Sequence, residues 1–270
     1  MLNYKVGFIG SGNMAHAIMK GIVDSRTVAP EHIYVFDIDR QKLESMKQEY
    51  GVNPVNNNVE LTQCCDLLIL AVKPYICQLV LDEINPYLRQ EHMLVSIAAG
   101  WSTEKLRTAV AKRAKVLKVM PNTPARVGAG VMIFSRDNDL SPEELENVKV
   151  LFSANGLVEL LDEDKMFATT GISGTIPACV SMYIEALADG GVANGLPRDF
   201  ALRVAAQAVM GSAKMVLESG KHPGILKDQV CTPGGTTIEA VCSLEEDGFR
   251  GTVIRACNRC TKKSFDMLKK

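Results

Sequence analysis

Residues 6–15, VGFIGSGNMA, constrain what this chain can fold into more than any other stretch. An apolar run rich in β-formers ends in two glycines one residue apart, and Met14-Ala15-His16-Ala17-Ile18-Met19 then has good helix propensity. Strand, tight turn and helix follow one another within a few residues. Backbone N–H groups at such a helix start point out of the turn and carry the positive end of the helix dipole, which suits a pyrophosphate. Gly10 permits the turn, Gly12 admits close approach of a phosphate, and Ala15 stands where a third glycine or an alanine completes the dinucleotide fingerprint. An ordinary strand-to-helix turn carries the same pattern, so the rest of the chain has to supply the context.

The 270 residues have room for one large domain or two ordinary ones, each with a core. Hydrophobic residues make up 47% and charged residues 23%, as in globular proteins, and 30 basic against 31 acidic residues leave a net charge of −1. That balance argues against nucleic acid or a membrane surface as a partner. Uninterrupted apolar runs such as 67–72 fall far short of the ~20 residues of a membrane span, and the chain opens directly into a strand without signal-peptide features. The cytoplasm is the expected location. Eight cysteines are scattered through apolar or helical text, and Cys257-Asn258-Arg259-Cys260 has neither a second pair nor a nearby histidine. Buried or half-buried thiols are expected there. His16, His32, His92 and His222 have neither the spacing of a metal site nor that of a triad, so no metal is expected.

A second strand, 33–37, ends in Asp37. A carboxylate at the end of the second strand of a dinucleotide fold receives the adenosine ribose hydroxyls, although Asp37 comes a little later than the usual ~20 residues after the glycines. Asp37 repels a 2′-phosphate while Arg40 attracts one, which leaves NAD and NADP both open. Capping of a helix over 40–50 is the structural alternative for Asp37. Further strands are expected over 67–72, 93–97 and 116–120, closed by Lys73-Pro74, Ala98-Ala99-Gly100 and Pro121-Asn122-Thr123-Pro124, with helices between them. Runs at 130–134 and 157–160, and a helix opened by Ser141-Pro142-Glu143-Glu144, complete this half. The alternation predicts an α/β fold with a doubly wound parallel sheet. Ligands of such sheets bind beyond the carboxyl ends of the strands, so the loops at 10–14, Asp37, 71–74, 98–100 and 121–123 should face one crevice.

Beyond about Leu161 strand-like runs disappear and long helical patterns take over, which divides the chain into 1–161 and 162–270. Helices are expected over 176–194 and 198–218, ended by Gly195 and Gly220, and over 225–230, 238–246 and 252–268. Small residues at Ala188-Asp189-Gly190-Gly191-Val192, and more apolar surface than one small bundle hides, predict dimerisation through these helices, with packing inside the bundle as the alternative. In Thr232-Pro233-Gly234-Gly235-Thr236-Thr237 the proline and glycines prevent a helix, and Thr236 or Thr237 can cap the one from Ile238. Free N–H groups and hydroxyls before a helix suit a carboxylate, and a helix-turn-helix corner has the same spacing. Residues 169–175 form a second small-residue loop, either an opposite wall or a hinge. Lys73 is the candidate charge near the cofactor-side loop, able equally to neutralise phosphate or to hold the turn. A reaction needing little acid–base machinery from the protein is implied.

Together these motifs resemble the pyrroline-5-carboxylate reductase family, across nearly the whole chain. The pieces are Ile9-Gly10-Ser11-Gly12-Asn13-Met14-Ala15, Ala71-Val72-Lys73-Pro74, Ser96-Ile97-Ala98-Ala99-Gly100, Met120-Pro121-Asn122-Thr123-Pro124, Asp189-Gly190-Gly191-Val192 and the run from Leu226 to Ile238. The resemblance implies an N-terminal Rossmann domain, a helical C-terminal dimerisation domain, and assembly of homodimers into larger rings. It implies reduced NADP or NAD as cofactor, with Gly10, Ser11, Gly12, Asn13 and Met14 at the pyrophosphate, Asn58 and Ala71, Val72, Lys73 and Pro74 along the ribose side, and Ala98, Pro121 and Asn122 near the nicotinamide. Asp37 and Arg40 stay with the adenosine ribose. The substrate carboxylate would be held by the loop with Thr232, Gly234, Gly235, Thr236 and Thr237, and the Thr237 hydroxyl would lie near the imine nitrogen as the catalytic group. The chemistry implied is reduction of a cyclic imine, 1-pyrroline-5-carboxylate, to L-proline. Where the family reads Ser-Gly-Ser-Gly-Pro-Ala-Tyr, this chain has Ser173-Gly174-Thr175-Ile176-Pro177-Ala178-Cys179, so Ile176 replaces a glycine and Cys179 an aromatic ring. A cyclic-imine or keto-acid reductase with a reshaped pocket, and a dinucleotide-sensing protein without turnover, are the competing expectations.

Overall fold

The computed structural model describes residues 2–268. It divides into two compact units, one formed by the chain up to Gly174 together with the residues from Ser264 onward, the other by Thr175–Lys263.

The first unit opens with β1 (Val6–Ile9), α1 (Asn13–Asp24), β2 (Ile33–Phe36), α2 (Arg40–Tyr50), β3 (Asn53–Pro54), α3 (Asn58–Cys64), β4 (Leu67–Leu70) and α4 (Cys77–Ile84). It continues through β5 (Met93–Ser96), α5 (Thr103–Ala109), β6 (Lys115–Pro121), a 3₁₀ turn (Thr123–Val127), β7 (Gly130–Ser135), α6 (Pro142–Ser153), β8 (Gly156–Leu161) and α7 (Glu163–Met166). The eight strands form one sheet in the order β3-β2-β1-β4-β5-β6-β7-β8. Chain direction reverses its lateral course between β1 and β4, the switch point at which an open α/β sheet leaves a crevice. β1 to β6 are mutually parallel, whereas β7 runs antiparallel to β6 and β8 parallel to β7. The sheet is therefore mixed at one edge, because residues between β6 and β7 make only the short 3₁₀ turn, too little chain for a crossover.

Strand residues alternate between two cores. Leu67 and Ile69 of β4 join α1, α2 and α6 on one face, and Leu68 and Leu70 join α3, α4 and α5 on the other. A strand covered on both faces has to be apolar throughout, which is why LLIL carries no polar residue. Local caps match the sequence: Ser102 accepts the Lys105 N–H, and Ser141 with Glu144 forms a reciprocal capping box. The short β3 and the helix α3 have no counterpart among the expected elements, since two strand residues carry no periodicity.

The second unit is helical, with α8 (Ile176–Ala193), α9 (Arg198–Ser219), α10 (Pro223–Val230), α11 (Thr236–Glu246) and α12 (Phe249–Leu268), whose last residues belong to the first unit. Gly195 and Gly220 both take the left-handed backbone that ends a helix. Few side chains are buried: Ala188, Ala201 and Ala205 are, while Met182 is 70% and Leu217 75% exposed. Residues 163–193 and 198–219 are long and apolar enough to cross a membrane by length and composition, with 17% and 11% of those windows buried. Neither stretch holds an uninterrupted apolar run of that length, because scattered polar residues interrupt both.

Candidate functional site: a dinucleotide cradle and a glycine-rich loop

The carboxyl ends of the parallel strands β1, β2, β4, β5 and β6 share one edge of the sheet, and the loops leaving them carry most of the expected residues. At β1, Gly10 has φ +96°, and a Cβ there would lie 3.0 Å from the Ala71 carbonyl oxygen and from Val72 Cγ1. Gly10 is thus required by both backbone and packing. Gly12 differs. It is the N-cap of α1 with no side-chain cap, and a Cβ on it would meet nothing within 4 Å. Open space at a helix start whose first N–H groups, through Asn13 and Met14, lack intrahelical acceptors is a cradle for a phosphate. The residues present fit the pyrophosphate of a dinucleotide.

Asp37 follows β2 and turns onto this cradle. Its Oδ2 accepts the Ser11 N–H at 2.7 Å and the Ser11 hydroxyl at 2.8 Å, and its Oδ1 accepts the Asp39 N–H at 3.0 Å. Burial pushes the Asp37 carboxyl up, but the N–H bonds from Asp39 and Ser11 together with the Ser11 hydroxyl outweigh it and hold the group below the usual carboxylate range. Asp37 is not the cap of α2; that role belongs to Asp39, which accepts from Gln41 N–H and Lys42 N–H. Two residues suffice to move the cap because only Asp39 sits one position before the first helical residue. Beside Asp37 opens a cavity of about 480 Å³, lined by Phe36, Asp37, Ile38, Arg40, Lys47 and Asn56 among others. Arg40 is exposed on the first turn of α2.

Asn58 is 6% exposed at the start of α3, donates through Nδ2 to Glu83 at 2.7 Å, and leaves Oδ1 buried without a partner. Ala71 and Val72 are half-buried, Lys73 and Pro74 exposed. Trp101 Nε1 donates to the Pro74 carbonyl at 3.1 Å and pins this loop. Ala98 is buried after β5. Pro121 ends β6, and the Asn122 amide is held at both ends, its Oδ1 accepting Val131 N–H and its Nδ2 donating to the Ser173 carbonyl. Sequence reasoning missed Glu83 and Trp101 as partners of these loops. A lone indole beside Gly100 was the one available signal; Glu83 had none.

In the helical unit, Thr232 to Gly235 form a turn in which Gly235 N–H donates to the Thr232 carbonyl at 3.0 Å and Gly234 has φ +66°. α11 begins at Thr236, with Gly235 as N-cap and no side-chain cap. The sequence expectation that Thr236 or Thr237 caps a helix starting at Ile238 is corrected, since both lie inside the first turn of α11. Their hydroxyls are consequently not spent on capping, and the first N–H groups of α11 are left for an anion.

A second cavity, of about 540 Å³, lies at the amino edge of the sheet beside Arg107 and Lys115. Two of its lining cations are spent inside the fold, Arg107 on Asp137 and Asp139 and Lys115 on Glu144, and Lys112 lines it as well.

Comparison with known proteins agrees with this geometry. Residues 163–267 match the family described as pyrroline-5-carboxylate reductase dimerisation, and residues 5–100 match the family described as NADP oxidoreductase, coenzyme F420-dependent. The pyrroline-5-carboxylate reductase of Escherichia coli (strain K12) is 45% identical over 265 residues, 98% of each chain. That of Methanosarcina acetivorans is 39% identical over 270 residues, all of both chains. Among solved structures, Plasmodium falciparum pyrroline carboxylate reductase with NADP bound is similar with a TM-score of 0.86 and 35% identity, over 99% of each chain. The homologue from Coxiella burnetii gives 0.92 with 28% identity, over 98% of each. The matches run through the glycine cradle, the 71–74 loop and the 232–237 turn alike, and a chain similar over its full length to these proteins belongs to the pyrroline-5-carboxylate reductase family.

Proposed function

We propose that this chain reduces the C=N bond of 1-pyrroline-5-carboxylate to give L-proline, the last step of proline biosynthesis. The observation that carries the reading is the 45% identity along 98% of the chain, because it spans the cradle and the glycine-rich turn together. The reduced nicotinamide of NADH or NADPH supplies the hydride. The protein's part is to bind, orient and exclude water, since a protonated imine brings its own positive charge.

In this reading Gly10, Ser11, Gly12, Asn13 and Met14 hold the pyrophosphate, and Asp37 and Arg40 meet the adenosine ribose. Asn58 and Ala71 to Pro74 line the ribose side, and Ala98, Pro121 and Asn122 border the nicotinamide. Asn122 acts there through its backbone, its side chain being engaged elsewhere. Thr232, Gly234, Gly235 and Thr236 receive the substrate carboxylate, and the Thr237 hydroxyl lies near the imine nitrogen and accepts from its N–H when the imine is protonated. The chain forms homo-oligomers through its helical region. The proposal extends to a division of labour between 1–161 and 162–270, to homodimers joined in larger rings, to a cytoplasmic location, and to a protein with neither nucleic-acid nor membrane partners.

The test is a steady-state assay of the purified protein with pyrroline-5-carboxylate, its six-membered homologue and a keto acid, each with NADH and NADPH. Nicotinamide oxidation dependent on pyrroline-5-carboxylate is expected. A clear preference for another substrate, or dinucleotide binding without turnover, would overturn the reading. Thr237→Ala should lower kcat/KM roughly 10-fold or more with dinucleotide Kd nearly unchanged.

A further inference from the structure

The end of β2 carries a negative charge that cannot leave. Asp37 accepts three hydrogen bonds, two from Ser11 and one from Asp39, so rotating its carboxylate away would strand the N–H of a buried loop residue. None of the ion pairs within 4 Å among the described residues involves Asp37. The charge is therefore fixed, not neutralised at contact range, and placed between the pyrophosphate cradle and the 480 Å³ cavity. A carboxylate has about four acceptor positions, and three are taken, which leaves room for a ribose hydroxyl to donate.

We propose that Asp37 makes this chain select the dinucleotide with a free 2′-hydroxyl on its adenosine ribose over the one phosphorylated there, that is, NADH over NADPH. The inference rests on the reductase reading above. A hydroxyl at that position gains an acceptor, whereas a phosphate dianion meets a fixed like charge that no cation contacts, Lys42 pairing with Asp39 and acting on Asp37 only from beyond ion-pair range. Arg40 and Lys47 line the same cavity, but an exposed cation on a flexible stem gives up side-chain freedom to reach a phosphate, and screening by solvent weakens what it gains. The fixed anion outweighs the mobile cations.

Direct binding decides this without turnover. Fluorescence titration of the full-length protein with NADH and NADPH, repeated calorimetrically with the oxidised forms, should show NADH binding roughly 10-fold or more tightly than NADPH. Because the discrimination is between charges, the ratio should widen as ionic strength falls. Asp37→Ser should shrink the ratio at least fivefold, roughly, chiefly through tighter NADPH binding, with a melting curve confirming that the variant folds. Equal or tighter NADPH binding by the unmodified protein overturns the inference and leaves the reductase reading intact. A NADH preference that Asp37→Ser leaves unchanged also overturns it, since the selectivity then comes from elsewhere. Failure of both dinucleotides to bind overturns inference and reading together.

Discussion

Lys118 Nζ and Glu163 Oε1 form an ion pair of 3.0 Å in which the lysine residue is only 2% exposed. The ammonium also lies 4.4 Å from the centre of the Phe167 ring, and both Glu163 oxygens accept the Thr103 N–H, at 3.0 and 3.1 Å. One carboxylate thus ties β6, α5 and α7 together at the end of the first unit. Its loss leaves a buried cation without a counter-charge. Glu163→Ala should cost about 3–5 kcal/mol of unfolding free energy in urea. Lys118→Met should cost less, because it removes the charge that needs compensation and leaves Glu163 its N–H partner and some water. A loss below about 1 kcal/mol for Glu163→Ala would show that solvent reaches the ammonium.

The two glycines of the cradle should separate stability from binding. Gly10→Ala forces a side chain into a left-handed backbone and against the Ala71 carbonyl, and should lower stability by roughly 1–3 kcal/mol. Gly12→Ala meets no protein atom and costs only the replacement of a favourable N-cap residue by a poorer one, so stability should fall by about 1 kcal/mol or less. Dinucleotide Kd, measured by fluorescence, should nevertheless rise roughly 10-fold or more for Gly12→Ala, since the methyl occupies space a phosphate needs. Unchanged binding would place the pyrophosphate elsewhere.

Glu144 gives a pH test remote from the cradle. Burial pushes its carboxyl up, yet Lys115 and the Ser141 N–H and hydroxyl more than offset this and hold it below its ordinary value of 4.5. A carboxyl depressed in the folded state stabilises above its unfolded pKa, and that contribution disappears as pH falls through the folded value. The difference in unfolding temperature between the unmodified protein and Glu144→Gln should be widest near neutrality and shrink below about pH 4. A difference independent of pH would mean that packing rather than charge carries it.

The apolar side chains left open on α8 and α9 should be covered in the oligomer. Met182→Asp and Leu217→Asp place charges where 70% and 75% of the residue is exposed within one chain. Light scattering after size exclusion should show smaller species, with lower unfolding temperatures, for a substitution inside the contact surface. If both variants keep the native mass, the contact lies on other faces of these helices.

Much of the fold was legible because its signals are local. The doubly covered strand 67–70, the cap at Ser102, the capping box at Ser141 and the glycine ends of α8 and α9 each depend on residues within a turn of one another. The cradle was legible for the same reason, as strand, glycine turn and helix are consecutive. β3 and α3 were not, because a two-residue strand is held by its neighbour and not by its own pattern.

The sequence by itself determined the α/β alternation, the helical second half and which loops carry polar and glycine-rich text. It offered Asp37 as a ribose ligand with helix capping as the structural alternative, and Thr236 or Thr237 as a cap. Tertiary structure alone turned Asp37 onto Ser11, gave its capping role to Asp39, started α11 at Thr236, reversed β7, and joined Asn58 to Glu83 and Lys118 to Glu163. The three side-chain pairings, Asp37 with Ser11, Asn58 with Glu83 and Lys118 with Glu163, share one physical reason. A polar side chain takes the partner that the folded backbone brings within hydrogen-bonding reach, and when that partner is 26 or 45 residues away nothing in the neighbouring sequence names it.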